Sequence, residues 1–392
     1  MNSLLDSFDS DIKDILDSWS EKQVFIFEIT ATDKCNCRCS YCFEGHDSRK
    51  GPQYSRDDIV DNIEYILKHP HFNEKFKNLR ITFWGGEPLL QIDDILFYIE
   101  KFGHNKSVSW HFYTNGTLKE NLLRVIDAFK SKDALNRVTI QISWDGDPVH
   151  DINRFNSSGL AKSSIIKNTY KELYIKGVNV ELKATISPKD FKYLPEIWKS
   201  YESFILEVTD GNEHHMNWSP TIDQTYDSLE YLSDFKKSLA QICVYEIDYY
   251  KKYRKNLLSW FGSDAYSCTY REGMCCVAVN GDVHTCHGIA YDDVVKEYET
   301  LGNISNLDWI DKYLVEVGTH ELRIPEECSR CSATHCSVCC VQSSRRSDKE
   351  LPIDRWYDRT SQKNLCKFYQ MFGIYDKAVH TILTNETVRG MI

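Results

Sequence analysis

The segment KCNCRCSYCFE, residues 34–44, places three cysteines at the spacing Cys35-x3-Cys39-x2-Cys42. It comes after the apolar, β-rich run VFIFEI (24–29). Three cysteines in one tight loop can ligate three irons of a cubane 4Fe–4S cluster and leave the fourth iron open. An open iron can bind a small molecule through its amine and carboxylate groups. The spacing therefore predicts an iron–sulfur site with a free coordination position at the end of the first strand.

On either side of this loop, short β-rich runs alternate with helix-length amphipathic patterns up to about residue 220. Strands separated by helix-length crossovers indicate βα units and a parallel sheet. Five or six such units build a partial barrel rather than a closed eight-stranded one. The predicted strands are 24–29, 79–84, 108–113, 137–143 and 180–186, and the predicted helices lie near 57–68, 90–102, 118–130, 161–175 and 189–200.

Composition narrows the class of protein. The chain has 15 cysteines, four of them within 35–42 and five within 328–340. Such clusters in a reducing compartment indicate iron–sulfur or metal ligation rather than disulfides. The net charge of −11 argues against nucleic-acid binding. No run of 18 apolar residues predicts a membrane span, and the acidic N-terminus does not resemble a signal peptide, so we expect a cytoplasmic protein.

Further motifs follow the cysteine loop in a regular order. Gly85-Gly86-Glu87-Pro88 comes after the second predicted strand, Thr114-Asn115-Gly116-Thr117 after the third, and Ser143-Trp144-Asp145-Gly146 after the fourth. With the cysteine spacing, this series strongly resembles the radical S-adenosylmethionine (SAM) superfamily, in its peptide- or protein-modifying branch. A rival spacing that starts at Cys37 is less favoured, because only Cys35 satisfies the family pattern. The resemblance implies an α/β fold with a partial (β/α)6 TIM-like barrel.

The resemblance also implies roles for single residues. Glu87 would meet the ammonium group of SAM, Ser143 its ribose, and Tyr41 its adenine, although a packing role for Tyr41 is an alternative. Asp145 is a weak catalytic candidate that could equally cap a turn. The cluster ligands would be Cys35, Cys39 and Cys42, and the SAM-binding residues Tyr41, Gly85, Gly86, Glu87, Thr114, Asn115, Ser143 and Arg154.

The C-terminal cysteines form a second pattern. They read Cys268-x12-Gly281-x4-Cys286, then Cys328-x2-Cys331-x4-Cys336-x3-Cys340, then Cys366. This resembles the family's twitch and SPASM extension, with one spacing a residue shorter than the family's. The resemblance implies two auxiliary 4Fe–4S clusters, the first on Cys268, Cys286 and Cys340 and the second on Cys328, Cys331, Cys336 and Cys366. The fourth ligand of the first cluster would be Cys275 or Cys276, unless that iron stays open for substrate. Cys339 competes with Cys340, and zinc is an alternative for 328–340.

These patterns divide the chain into four parts. We expect an N-terminal amphipathic helix over 1–20, the radical SAM barrel over 21–225, a helical linker over 226–262, and a cysteine-rich, cluster-stapled SPASM domain over 263–392. The last part should end in a helix near 363–385. Within it, Asn280-Gly281 between alternating segments predicts a β-hairpin.

The implied reaction is reductive cleavage of SAM to a 5′-deoxyadenosyl radical, which removes a hydrogen from a peptide. In a ribosomally made precursor this would give an oxidative modification such as a thioether or carbon–carbon cross-link. Anaerobic sulfatase-maturating enzymes are an alternative, but they carry Asp after the hairpin's last cysteine, where this chain has His287. His287 is a weak catalytic candidate that could instead hydrogen-bond a cluster or stabilise the turn.

The resemblance extends to partners. We expect an electron donor such as flavodoxin or ferredoxin. With 34 residues before Cys35, too few for a winged-helix domain, we expect a separate leader-recognition protein or leader binding at a sheet edge. A non-catalytic metal-binding interaction protein is the alternative of another class.

Overall fold

The computed structural model describes residues 23–42, 44, 50–155, 161–209, 216–220, 229–255, 257–258, 273–290 and 300–317. The predicted helices at 1–20 and 363–385 lie outside these residues. So do most cysteines of the predicted auxiliary clusters, namely Cys268, Cys328, Cys331, Cys336, Cys340 and Cys366.

Six parallel strands form the body of the sheet. In spatial order they are β1 (Gln23–Thr32), β3 (Phe76–Gly85), β4 (Val108–Thr114), β5 (Val138–Ser143), β7 (Asn179–Ile186) and β8 (Met216–Pro220). Every neighbouring pair among them is parallel. The five predicted strands are confirmed, β8 was not predicted, and the partial (β/α)6 barrel is the observed fold. Two short strands, β2 (Arg38–Cys39) and β6 (Arg154–Phe155), pair separately and antiparallel.

The predicted hairpin is confirmed, but its place in the fold was not expected. Strands β9 (Met274–Val277) and β10 (Asp282–His284) are antiparallel, and β11 (Thr300–Asn303) pairs antiparallel with the other edge of β10. Gly281 has φ +89° in the connecting turn, a conformation that favours glycine. Because β9 pairs parallel with β1, the hairpin extends the barrel sheet to nine strands instead of standing apart from it.

Helices cover the outer face of the sheet close to the predicted positions. Helix α1 begins with a capping box in which Ser55 and Asp58 bond each other's backbone N–H groups, which satisfies donors left free by the first turn. The helices are α1 (Arg56–Lys68), α2 (Pro70–Lys75), α3 (Ile92–Phe102), α4 (Lys119–Ser131), α5 (His150–Asn153), α6 (Ser163–Ile175), α7 (Leu194–Thr209), α8 (Leu229–Tyr253), α9 (His287–Ala290) and α10 (Asp308–Glu316). None of the helices in the described part of the chain is long and apolar enough to cross a membrane.

The two faces of the sheet differ in chemistry, because successive side chains of a strand alternate. On β1, Phe25 and Phe27 are fully buried in the core under the helices, whereas Glu28 and Thr30 point to the inner face. Burying such an aromatic side chain stabilises the fold by roughly 1.5–3 kcal/mol. The apolar outer face holds the layers together, and the polar inner face lines a lumen that opens at the carboxyl ends of the strands.

A buried carboxylate braces the outer helices. Glu246 of α8 is fully buried and accepts hydrogen bonds from Trp198 Nε1 at 2.6 Å and from the backbone N–H groups of Leu257 and Leu258, both at 3.1 Å. Burial raises its pKa to about 7. The folded chain therefore holds a proton here that the unfolded chain has already lost between about pH 4.5 and 7.

We expect the stabilising effect of this proton to fall as the pH rises toward 7 and to be absent above about pH 8. The variant Glu246→Gln lacks this titrating group, so the pH-dependent contribution of the proton to the free energy of unfolding should be absent. The difference in unfolding free energy between wild type and variant should therefore decrease by up to about 1.4 kcal/mol per pH unit between pH 5 and 7. Denaturant unfolding at a series of pH values measures it, with exposed Glu196→Gln as the control. A difference that does not vary with pH would contradict the assignment.

Candidate active site

The cysteine loop lies at the carboxyl end of β1, at the mouth of the barrel. The thiols of Cys35, Cys39 and Cys42 are partly exposed, whereas Cys37 is only 2% exposed. A hydrogen bond with Cys35, together with burial, raises the pKa of Cys37. The three partly exposed thiols are those of the spacing that starts at Cys35, and the buried thiol is that of the rival spacing.

Hydrogen-bond donors are directed at two of the three thiols. Asn115 Nδ2 lies 3.8 Å from Cys35 Sγ, and Arg154 Nη1 lies 3.9 Å from Cys39 Sγ. Such donors offset the negative charge of a thiolate and tune the potential of a cluster bound to it. Two of the residues predicted to bind SAM, Asn115 and Arg154, are thus placed against sulfurs that are predicted to bind the cluster.

The two glycines of the Gly85-Gly86 turn lie against the backbone of the cysteine loop. Gly86 N donates to Thr32 O at 2.8 Å, and a Cβ at Gly86 would lie 2.3 Å from Lys34 O. Gly85 has φ +119°, and its Cβ would lie 2.5 Å from Thr32 O. Only glycine allows these two chain segments to approach so closely. This contact holds the start of the cysteine loop against the end of β3.

Glu87 connects the second and third loops of the mouth. It is fully buried and accepts hydrogen bonds from Thr114 Oγ1 and Asn115 N at 2.8 Å and from Leu89 N at 3.2 Å. Burial raises its pKa to about 8. The carboxylate positions Asn115, whose amide reaches Cys35. Its contact with the ammonium group of SAM stays a prediction.

Asp145 connects the cysteine loop to the far side of the barrel. Its carboxylate is fully buried and accepts hydrogen bonds from Arg154 Nε at 3.0 Å and Nη2 at 3.2 Å, from Thr185 N at 3.0 Å, and from the Tyr41 hydroxyl. The Arg154 guanidinium also lies over the Tyr41 ring. A carboxylate with this many partners holds its neighbours in place, and the predicted roles of Asp145 in catalysis or as a turn cap stay predictions.

Ser143 lies one residue before this network, at the end of β5 on the inner face. It is half-buried and registers with Lys183 of β7. Within the described part of the chain its hydroxyl has no hydrogen-bond partner, so it stays available at the mouth. Thr114, in contrast, is buried and bonded to Glu87.

His287 points into the lumen and is paired with an acid that the sequence patterns did not single out. Its Nδ1 lies 2.8 Å from Glu28 Oε2, and its ring lies 4.3 Å from the Trp84 ring. Burial alone would lower the pKa of His287, but the Glu28 carboxylate outweighs it and the pKa is raised. A signal for Glu28 existed in the sequence, since it is a lone charge in an otherwise apolar strand.

The two adjacent cysteines of β9 face opposite ways. Cys275 registers with Phe27 and belongs to the hydrophobic core, whereas Cys276 registers with Glu28 and lies 3.6 Å from Thr30 Oγ1. Cys276 is also within electrostatic range of Cys286. Of the two alternatives for a fourth auxiliary ligand, only Cys276 lies on the side of Cys286.

Residues 29–163 match the sequence model of the Radical SAM superfamily. A probable GTP 3′,8-cyclase of Methanocaldococcus jannaschii is 37% identical over 123 residues, which make up 31% of this chain and 37% of that protein. A cysteine-type anaerobic sulfatase-maturating enzyme of Clostridium novyi is 26% identical over 181 residues, 44% of this chain and 46% of that protein. The matched stretches thus span less than half of either relative.

Among solved structures, anSMEcpe with bound AdoMet and Cp18Cys peptide superposes with a TM-score of 0.63 at 17% sequence identity. The superposition covers 92% of this chain and all of that one. At this identity the likeness concerns the fold. Together with the family match and the cysteine loop at the barrel mouth, it identifies residues 29–163 as a radical S-adenosylmethionine domain.

Proposed function

We propose that this chain is a radical SAM enzyme that oxidatively modifies a peptide. The observation that carries the proposal is the cysteine loop itself, because Cys35, Cys39 and Cys42 are partly exposed at the barrel mouth with donors aimed at two of their sulfurs. The described residues contain no group of three ligating side chains close enough to share one metal ion. A cubane takes each cysteine on a separate iron, so thiols spread around a loop suit a 4Fe–4S cluster.

The residues at the mouth of the barrel would bind and orient the 4Fe–4S cluster and SAM. Cys35, Cys39 and Cys42 would hold the cluster, and the Ser143 hydroxyl and the half-buried Tyr41 would contact SAM. Arg154 and Asn115 would stabilise the thiolates, each held in turn by a buried carboxylate. When bound, cluster and SAM supply the one-electron chemistry that removes a hydrogen atom from a substrate.

Two observations favour a peptide over a nucleotide. The fold likeness to anSMEcpe, a structure that contains a bound peptide, extends over 92% of this chain. The hairpin that carries Cys286 and His287 is part of the barrel sheet beside β1, so its residues face the same lumen as the cysteine loop.

The residue at position 287 helps to choose between the two candidate peptide modifications, sulfatase maturation and cross-linking. Sulfatase maturation, the second candidate, is favoured by the match to the Clostridium novyi enzyme. At the position of His287 that resemblance calls for Asp, and here the imidazole is hydrogen-bonded to Glu28 and lies against the Trp84 ring at an interplanar angle of 44°. We therefore favour cross-linking in a precursor peptide. Cys276 and Cys286 would contribute to the first auxiliary cluster, which would take up the electron released by the oxidised substrate.

Replacement of single cysteines in the loop tests the cluster assignment. We expect Cys39→Ala to lower reductive cleavage of SAM to below about a hundredth of wild type, because it removes an iron ligand. Cys37→Ala, two positions away, should retain cleavage within about threefold, because Cys37 is buried and is not one of the three predicted ligands. The readouts are iron content after anaerobic reconstitution and 5′-deoxyadenosine release. Equal losses in the two variants would contradict the ligand set.

A second test concerns Arg154 as a positioning residue. Arg154→Gln removes a positive charge beside Cys39, so the cluster should become harder to reduce and its potential more negative, with cleavage slowed by about 10- to 100-fold. Arg124→Gln, which breaks an exposed ion pair with Asp93, is the matched control. Potentiometric titration followed by electron paramagnetic resonance measures the shift, and an unchanged potential in a cluster-loaded variant would refute the role.

A further inference from the structure

Three nitrogen-bearing side chains converge on the inner face of the barrel below the mouth. They are Arg80 on β3, His111 on β4 and Lys183 on β7. Thr82, two residues beyond Arg80, registers with His111, and Lys183 registers with Ser143 at the end of β5. All three therefore belong to the polar face that lines the lumen, below the level of the cysteine loop.

The charged ends of Arg80 and Lys183 and one ring nitrogen of His111 have no hydrogen-bond partner in the described part of the chain, whereas several other polar groups of the same face are paired. Glu28 is bonded to His287, Thr30 to Trp84, and Gln141 to Glu181. In the part of the chain that the structure describes, neither Arg80 nor Lys183 forms an ion pair or a hydrogen bond.

His111 shows the same deficit at a single atom: its Nε2 is buried without a hydrogen-bond partner. Buried polar atoms are nearly always satisfied, so this unpartnered imidazole nitrogen, near two half-buried cations, indicates a polar ligand inside the barrel.

The charges of this cluster suit a single anion. Burial, with the nearby charges of Arg80 and Lys183, lowers the pKa of His111 to about 4, so the ring is neutral near pH 7. Burial lowers the pKa of Lys183 to about 8, although Glu181 acts in the opposite direction. Two cations and a neutral imidazole share this face with two carboxylates, Glu181, which lies two residues farther from the mouth than Lys183, and Glu28, which is paired with His287. With Glu28 engaged by His287, the two cations exceed the remaining carboxylate by one positive charge, which suits a single carboxylate on the ligand.

We propose that Arg80, His111 and Lys183 form a carboxylate-binding site that holds an acidic group of the peptide substrate inside the barrel lumen. The inference rests on the proposed function and deepens it. Charge-assisted hydrogen bonds from a guanidinium and an ammonium fix a carboxylate strongly. On the inner face, Lys183 is level with Ser143 at a strand end, whereas His111 and Arg80 lie three and five residues before the ends of their strands. A substrate carboxylate bound there anchors the peptide inside the barrel, while the adjoining residues of the peptide face the mouth.

Paired peptides test this site. SAM-loaded, cluster-loaded enzyme is incubated anaerobically with a synthetic heptapeptide library in which each Asp or Glu peptide has an Asn or Gln counterpart, and each is made as a C-terminal acid and as an amide. Ultrafiltration and mass spectrometry give the bound fraction. We expect retention to require a carboxylate, and the paired forms show whether it is the side chain or the C-terminus. Lys183→Gln should lower retention by about tenfold or more, as should Arg80→Gln, whereas exposed Lys176→Gln should not.

The outcomes separate this inference from the function on which it rests. If acid and amide forms bind equally, or if Lys183→Gln behaves like Lys176→Gln in a folded, cluster-loaded enzyme, the carboxylate site is refuted while peptide binding stands. If no peptide binds and GTP does, both the carboxylate site and the peptide function are refuted.

Discussion

The arrangement of the barrel mouth depends on the hydrogen bonds that the buried carboxylate of Asp145 accepts. It holds Arg154 through two hydrogen bonds, Tyr41 of the cysteine loop through its hydroxyl, and β7 through the backbone N–H of Thr185. A buried ion pair adds little net stability, but removal of one partner leaves an uncompensated charge. The contact therefore specifies one arrangement of the loop, and it places a guanidinium against Cys39.

Glu87 has the corresponding role on the opposite side of the mouth. It fixes Asn115 against Cys35, and the glycine before it fixes the start of the loop through Thr32. Two buried acids and one close backbone approach thus set the positions of the cysteines. In the described part of the chain, Arg80, Lys183 and His111 Nε2 have no hydrogen-bond partners, and they form the site that we propose for a carboxylate of the substrate.

Local patterns in the sequence predicted five of the six parallel strands, most helices and the cysteine loop, because alternation and motif spacing are properties of neighbouring residues. The partners of Asp145 and Glu87 could not be predicted in this way, since Thr185 and Asn115 come from other strands and depend on sheet order. The same holds for β9, whose parallel pairing with β1 joins segments about 250 residues apart. That pairing decides that Cys276, and not Cys275, faces the lumen.

Transfer of deuterium tests the central claim most directly. Short peptides encoded by genes beside this one are produced in fully deuterated form and incubated with reduced, cluster-loaded enzyme and SAM. The account predicts that 5′-deoxyadenosine acquires deuterium from one of these peptides, and that this peptide is altered in the same reaction. Release of unlabelled 5′-deoxyadenosine with every peptide, together with transfer from deuterated GTP, would contradict it.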